Sequence, residues 1–338
     1  MTSSTMRALV HADVPGLDGL QLAEAPVPTA GPGELLIAVD YAGLNRHELF
    51  TARRRTGTEP PQILGADAAG RVAVLGEGTT GFTVGDRVLL DPTLNWPRRD
   101  AIPAHPDILG GRAPGTFAEF VAVPAANAYP VPKHLTPAEA GALGLAGVTA
   151  YRALFSVGEL QAGEHVLVPG IGSGVGLLAL DLARSVGAEV TVTSRSSEKL
   201  DFARSRGAAR AVLSDQLHDA GLDGSIDLVV DTVGAASVPG ALRTLRPGGR
   251  LVTLGATTGP DIKLSLRDLF FRQISLRGTS VGSAEEFRAM LGLVTAHLLR
   301  PVIDAVHPLT DAPDIMRAAI DGASLGKTVF HISVESQT

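Results

Sequence analysis

His165-Val166-Leu167-Val168-Pro169-Gly170-Ile171-Gly172-Ser173-Gly174-Val175-Gly176 sets a short apolar run against four glycines spaced two apart. An amphipathic segment follows, with Leu177, Leu178, Leu180 and Leu182 among its apolar positions. The pattern predicts a strand, a tight turn and a helix. Glycines let backbone approach a diphosphate closely, and the helix start offers unpaired N–H groups at the positive end of its dipole. Gly170, Gly172, Ser173, Gly174, Val175 and Gly176 are therefore candidate cofactor contacts. A plain strand-to-helix turn needing positive φ is the structural alternative. The strand before and the helix after favour the nucleotide site.

The next strand is Glu189-Val190-Thr191-Val192-Thr193-Ser194, apolar and β-branched. A dinucleotide fold that prefers NAD carries an acidic residue near the end of this strand, on the ribose 2′-hydroxyl. Here the chain has Ser194-Arg195-Ser196-Ser197, then Lys199. Hydroxyls and cations suit a 2′-phosphate, so the expected cofactor is NADPH, held by Ser194, Arg195 and Lys199. The structural alternative is a solvated helix start with Ser196 or Ser197 as its N-cap.

With 338 residues, the chain has room for one large domain or two ordinary ones. Hydrophobic residues make up 45% and charged ones 19%, which excludes a disordered chain. Net charge is −6 with no long basic block, which argues against nucleic acid and anionic membranes as partners. No run approaches the length of a membrane span, and Met1–Arg7 lacks a long apolar segment. Cysteine is absent, so disulfides, thiolate nucleophiles and cysteine–zinc sites are excluded. The expected location is cytoplasmic.

The first ~130 residues hold short β-like pieces at 7–11, 34–41, 70–75, 86–90 and 117–123, separated by Gly and Pro turns. That suits an irregular barrel. From about Ala146 strands alternate with helices, at 211–213, 226–231, 250–254 and 274–278 for strands and at 198–205, 235–245 and 284–299 for helices. Such alternation implies a doubly wound parallel sheet of the Rossmann type, an α/β fold. Pro247-Gly248-Gly249 reads as the turn between a helix and a strand. The tail Lys327–Ile332 is expected to add a strand to the first domain. The division is 1–145, then 146–280 as the dinucleotide-binding domain, then 281–338 returning to the first domain.

In that order the pieces resemble the medium-chain dehydrogenase/reductase superfamily along nearly the whole chain. The likeness is carried by 32–37 (PGELLI), 43–49 (GLNRHEL), 63–70 (ILGADAAG), 85–88 (GDRV), 115–120 (GTFAEF), 147–151 (GVTAY), the glycine loop, 245–250 (LRPGGR) and Gly326-Lys327. The resemblance implies a GroES-like, barrel-like catalytic domain beside the Rossmann domain. It also implies a homodimer through the edge strand 274–278. Zinc-dependent members place a catalytic metal where this sequence has Asn45, Ala66 and Leu145, and a four-cysteine lobe near Asp91–Gly111. The sequence therefore looks like the zinc-free branch of quinone oxidoreductases and enoyl reductases, with no metal expected. A site built from His47, Glu48, Asp67 and His105 lacks paired ligand spacing.

Without a Lewis acid a saturated ketone or alcohol loses its main activation, whereas a conjugated acceptor needs less help. The expectation is NADPH-dependent reduction of an activated C=C or a quinone. Metal-free alcohol or carbonyl oxidoreduction is the alternative, and a non-catalytic NADPH-binding protein a third. Asn45 and His47 are the candidate catalytic residues, with water or Tyr41 as other proton sources. The resemblance implies cofactor contacts at Arg46, Thr149, Val233, Gly234, Leu254, Gly255, Ala256 and Lys327, the last at the diphosphate. Phe50, Asp67 and Trp96 are candidate pocket residues. Trp96 reads equally as a loop anchor, and Arg53-Arg54-Arg55 as a solvated face or an attractor of acidic substrate.

Overall fold

The structure is a computed structural model that describes residues 4–319 and 323–332. The very start of the N-terminal stretch and the end of the 281–338 segment lie outside the described residues. Strands rich in β-branched and aliphatic residues build two main sheets. The six-stranded sheet is wholly parallel, in the order Arg210–Leu213, Glu189–Ser194, His165–Val168, Ile226–Asp231, Leu245–Thr253, Ser275–Gly278. Val166 and Val168 from its middle strand pack with Leu177, Leu178, Leu180 and Leu182 of the helix Gly174–Ser185. The amphipathic stretch after the glycines thus buries its apolar side on the strand before them.

The first ~130 residues form a mostly antiparallel sheet around Glu34–Gly43, which pairs with Ala69–Leu75, with Phe120–Pro124 and with the returning strand Lys327–His331. Phe117 and Phe330 meet edge to face in the core of this sheet, with ring centroids 5.2 Å apart. The tail therefore closes the first domain, as its apolar composition predicts. The helix Ala284–Ala296 packs on the helix Gly144–Tyr151 through Phe287, Met290 and Val294.

Two local readings change. Pro247-Gly248-Gly249 lies inside a strand that already begins at Leu245, where the partner register jumps between Ile226 and Leu228. The turn residues therefore make a bulge, with Gly248 at φ 75°, and do not end the element. The strand Leu20–Pro26 has no apolar alternation strong enough to see in sequence, because it is an edge strand with most of its residues partly or fully exposed. Among the described residues no helix is long and apolar enough to cross a membrane.

Candidate active site

The carboxyl ends of the parallel strands face the barrel-like domain, and the crevice between them gathers most of the predicted residues. Ser173 caps the helix Gly174–Ser185, its hydroxyl accepting the Gly176 N–H at 3.1 Å. Two glycines are required by close approach. At Gly172, with φ 129°, a Cβ would lie 2.8 Å from the Lys199 Cδ, and at Gly174 one would lie 2.6 Å from the Lys327 Cδ. The Gly326 N–H donates to the Gly172 carbonyl at 2.8 Å, so the returning strand clasps the glycine loop. Val233 packs against Gly170, and Gly234 against Gly255 and Ala256. Leu254 donates its N–H to the Asp231 carbonyl. Asp231, buried below this row, accepts the N–H groups of Val233 and Gly234 and the Ser237 hydroxyl. It is a supporting residue that sequence reading missed.

Three cations ring the loop. Ser194 is buried, its hydroxyl accepting the Ser196 N–H, while Arg195 is exposed at the end of its strand. Lys199 folds inward over Gly172, and its ammonium donates to the Ser324 carbonyl at 2.6 Å. Burial first, and then the charges of Arg195 and Arg46 set against those of Asp304 and Glu198, hold the Lys199 pKa below its ordinary value. Arg46 reaches across the crevice to donate to Thr257 at 2.7 Å. A cluster of like charges in a chain of net charge −6 suits an anion. Thr149 adds a buried hydroxyl with no hydrogen-bond partner among the described residues. Buried polar groups are rarely left unpaired. The residues therefore fit a dinucleotide: the glycine loop and the cations for its phosphates, and Thr149 with 233–234 and 254–256 along its length.

On the barrel side, Asn45 precedes the helix Arg46–Arg54. Its N–H donates to Glu48 at 2.7 Å, and Glu48 also accepts the Ala66 N–H at 3.0 Å. Burial pushes the Glu48 carboxyl up to about 7, against the nearby Lys327 charge. The Asn-x-x-Glu spacing was the available signal for this capping residue. Asp67 accepts the Leu145 N–H at 2.6 Å, the Asn45 amide at 3.0 Å and the Lys327 ammonium at 3.0 Å. Lys327 also donates to the Asn45 side-chain oxygen. Thus the Lys327 ammonium points at Asn45 and Asp67, while only its stem passes the glycine loop. His47 is mostly buried, with no partner for its Nε2 among the described residues. Burial lowers its pKa, with Asp67 opposing and Arg54 assisting.

Trp96 is 2% exposed and packs with Ala66, Leu145 and Val281 in one buried apolar cluster, which is the loop-anchor arrangement. Its carbonyl accepts the Ala284 N–H, tying the cysteine-free lobe to a helix start. Phe50 is exposed and lies off the buried face made by Glu48, Leu49 and Ala52, so the structure does not gather it with Asp67 and Trp96.

Zinc does not fit this arrangement. At the three positions implied for its ligands, Ala66 and Leu145 have no donor atom, and the Asn45 oxygen is bonded to an ammonium. Among the described residues no three His, Asp or Glu side chains gather to hold a metal, so His47, Glu48, Asp67 and His105 form no such group.

Residues 31–133 match the family described as Alcohol dehydrogenase GroES-like domain, and residues 174–296 the one described as Zinc-binding dehydrogenase. A zinc-type alcohol dehydrogenase-like protein of Schizosaccharomyces pombe is 32% identical, with 97% of this chain and 99% of that protein covered. A quinone oxidoreductase of Rattus norvegicus is 29% identical, with 96% of this chain and 97% of that protein covered. The crystal structure of an NAD-dependent alcohol dehydrogenase superposes with a TM-score of 0.90 at 32% identity, covering 97% of this chain and all of that one. The fold and the crevice define an oxidoreductase of a class that binds nicotinamide cofactors. The chain belongs to the medium-chain dehydrogenase/reductase superfamily.

Proposed function

We propose that the protein is an NADPH-dependent, zinc-independent reductase of an activated C=C bond or a quinone. The observation that carries this reading is the replacement of a metal-ligand set by the Asn45–Asp67–Lys327 network. NADPH would supply a hydride when bound. The chain's part is to hold the acceptor against Trp96 and Leu145, exclude water, and stabilise negative charge on the acceptor oxygen. His47 then gives a proton to the carbon or oxygen left basic by the transfer. The similarity to a quinone oxidoreductase supports a quinone as acceptor.

The test is NADPH oxidation by extensively chelated protein with a quinone, an α,β-unsaturated ketone and a saturated ketone. Turnover of the first two without metal is expected. Turnover of the saturated ketone alone would favour the alcohol/carbonyl reading, which the similarity to alcohol dehydrogenases also supports. Stoichiometric zinc required for turnover would overturn the proposal, and no turnover with any acceptor would favour a binding protein.

We also propose NADPH over NADH, on Arg195. It is the one of the three predicted 2′-phosphate residues whose side chain is exposed, since Ser194 and Lys199 are turned inward. Arg195→Ala is expected to weaken NADPH binding by ~1–3 kcal/mol, the scale of a lost charge-assisted contact, and to leave NADH unchanged. Fluorescence titration with both cofactors measures this, and equal affinity of the wild type for both would sink it.

A homodimer is proposed on the edge strand Ser275–Gly278, whose outer side pairs with no strand among the described residues and which follows the helix Leu266–Arg272. Leu266, Phe270 and Phe271 of that helix are 73, 63 and 64% exposed. Sedimentation at the monomer mass of 34.9 kDa would contradict it. The division at 145/146 and 280/281 stands as a proposal with this reading.

A further inference from the structure

Lys327 is 4% exposed, and its charge is held by Asp67 and not by a group of the glycine loop among the described residues. Its stem passes over Gly174, and its Nζ ends between Asp67 and Asn45. Asp67 is fully buried and fixed by the Leu145 N–H and the Asn45 amide. The ammonium therefore sits among residues 45, 66–67 and 145. Three of them, Asn45, Ala66 and Leu145, are the positions where the resemblance puts the ligands of a catalytic zinc, and Asp67 is next to one. An ammonium has three protons. Two are engaged, by Asp67 and Asn45, and the third has no acceptor among the described residues. Ala66, Leu145 and Trp96 make an apolar wall nearby. A fixed positive charge beside an apolar wall acts strongly on a developing anion.

We propose that the Lys327 ammonium is the electrophile of this site, donating its third N–H to the carbonyl or quinone oxygen of the acceptor. The inference rests on the metal-free reductase reading. The hydride brings its electron pair from the reduced nicotinamide and forms a C–H bond at the β-carbon. The C=C pair moves to form a new double bond between the α-carbon and the carbonyl carbon, and the C=O π pair passes to the oxygen. Lys327 holds that oxygen as an enolate and keeps its own proton. A proton from His47 or water then closes the α-carbon. NADPH would be oxidised by two electrons, and the acceptor gains the hydride with that electron pair and one further proton. Asp67 and Asn45 are positioning residues, since they fix the ammonium and do not touch the acceptor.

A diphosphate ligand and an electrophile predict different losses. Lys327→Met is expected to lower kcat at saturating NADPH by ~10²–10³-fold, the range for removing one oxyanion donor, with the NADPH Kd changed less than threefold. Unchanged kcat with a tenfold weaker NADPH Kd would make Lys327 a cofactor residue and overturn the proposal. Should Lys327→Met fail to fold, the double variant Lys327→Gln/Asp67→Asn removes both charges and is held to the same outcomes. A second readout needs no turnover. p-Nitrophenol is titrated into the NADP⁺ complex and its phenolate absorbance followed against pH. Wild type is expected to bind the phenolate and lower the phenol's pKa, and the variant to lose that shift. Equal titration in both, or no phenolate bound by wild type, would overturn the inference. Failure of chelated wild type to reduce any acceptor would overturn the metal-free reading instead, and the phenolate titration still decides Lys327.

Discussion

Replacing His47 with Ala is expected to lower kcat by ~10²–10⁴-fold, the usual range for a lost general acid, with NADPH affinity nearly unchanged. His47 is the second residue of the helix Arg46–Arg54, two after Asn45, and its buried Nε2 has no partner among the described residues. A histidine kept only for packing has its ring nitrogens satisfied, because an unpaired buried polar atom costs about 1–3 kcal/mol. An unpartnered Nε2 within reach of the Asp67 charge leaves a ring nitrogen available to a substrate. The pH dependence has a definite sign. Burial holds the His47 pKa below 6.5, the Asp67 charge opposes this, and Arg54 adds to it. Proton donation needs the imidazolium, so the rate of reduction should fall as pH rises through that lowered value. His47→Ala should lose this limb. Glu48 titrates near 7, so Glu48→Gln is the control and should keep it. A loss under about tenfold with a flat profile between pH 5 and 8 would leave His47 structural and make water the donor.

The local order of this chain was legible because its signals are local. A β-branched run, glycines at alternate positions and a leucine-rich stretch lie within about twenty residues, and they form the strand, loop and helix expected of them. The tail 327–332 carried its own apolar pattern and found the first sheet. The site was less legible, because its bonds join distant residues. Lys327 and Asp67 are 260 positions apart, and Arg46 and Thr257 are 211 apart. The resemblance implied Lys327 at the diphosphate, but no feature of sequence says which way a long flexible side chain turns. Only Asp67, fixed from a third segment by Leu145, decides that. Lys199 gave the same difficulty: composition put a cation after the second strand, and packing on Gly172 determines where its charge lies. Glu48, by contrast, stood three residues after an N-cap asparagine and could have been read.

Arg152→Ala is expected to destabilise the fold by about 3–5 kcal/mol, the scale for leaving a buried charge without its partner. The Arg152 Nη1 lies 2.6 Å from Glu286, and both side chains are nearly inaccessible. Its Nε donates to the Thr279 hydroxyl at 3.0 Å, and its guanidinium lies over the Trp96 ring, 4.7 Å from the centroid. Glu286 also takes the N–H and the hydroxyl of Ser283, so it cannot turn to water without uncapping the helix Ala284–Ala296. The stacked cation contributes about 0.5–2 kcal/mol more where it is desolvated. Trp96 is the only tryptophan, so its emission reports on this point alone. Urea unfolding of Arg152→Ala should give the lower stability, with the native-state emission shifted as the indole loses its cover. Adding Glu286→Gln should recover part of the loss, because the uncompensated charge is then gone and the capping oxygen remains. A loss under 1 kcal/mol, or no recovery in the double variant, would mean that the pair is already solvated. It would then not be what holds the Trp96 lobe against Ala66 and Leu145, and the wall of the proposed acceptor site would need another support.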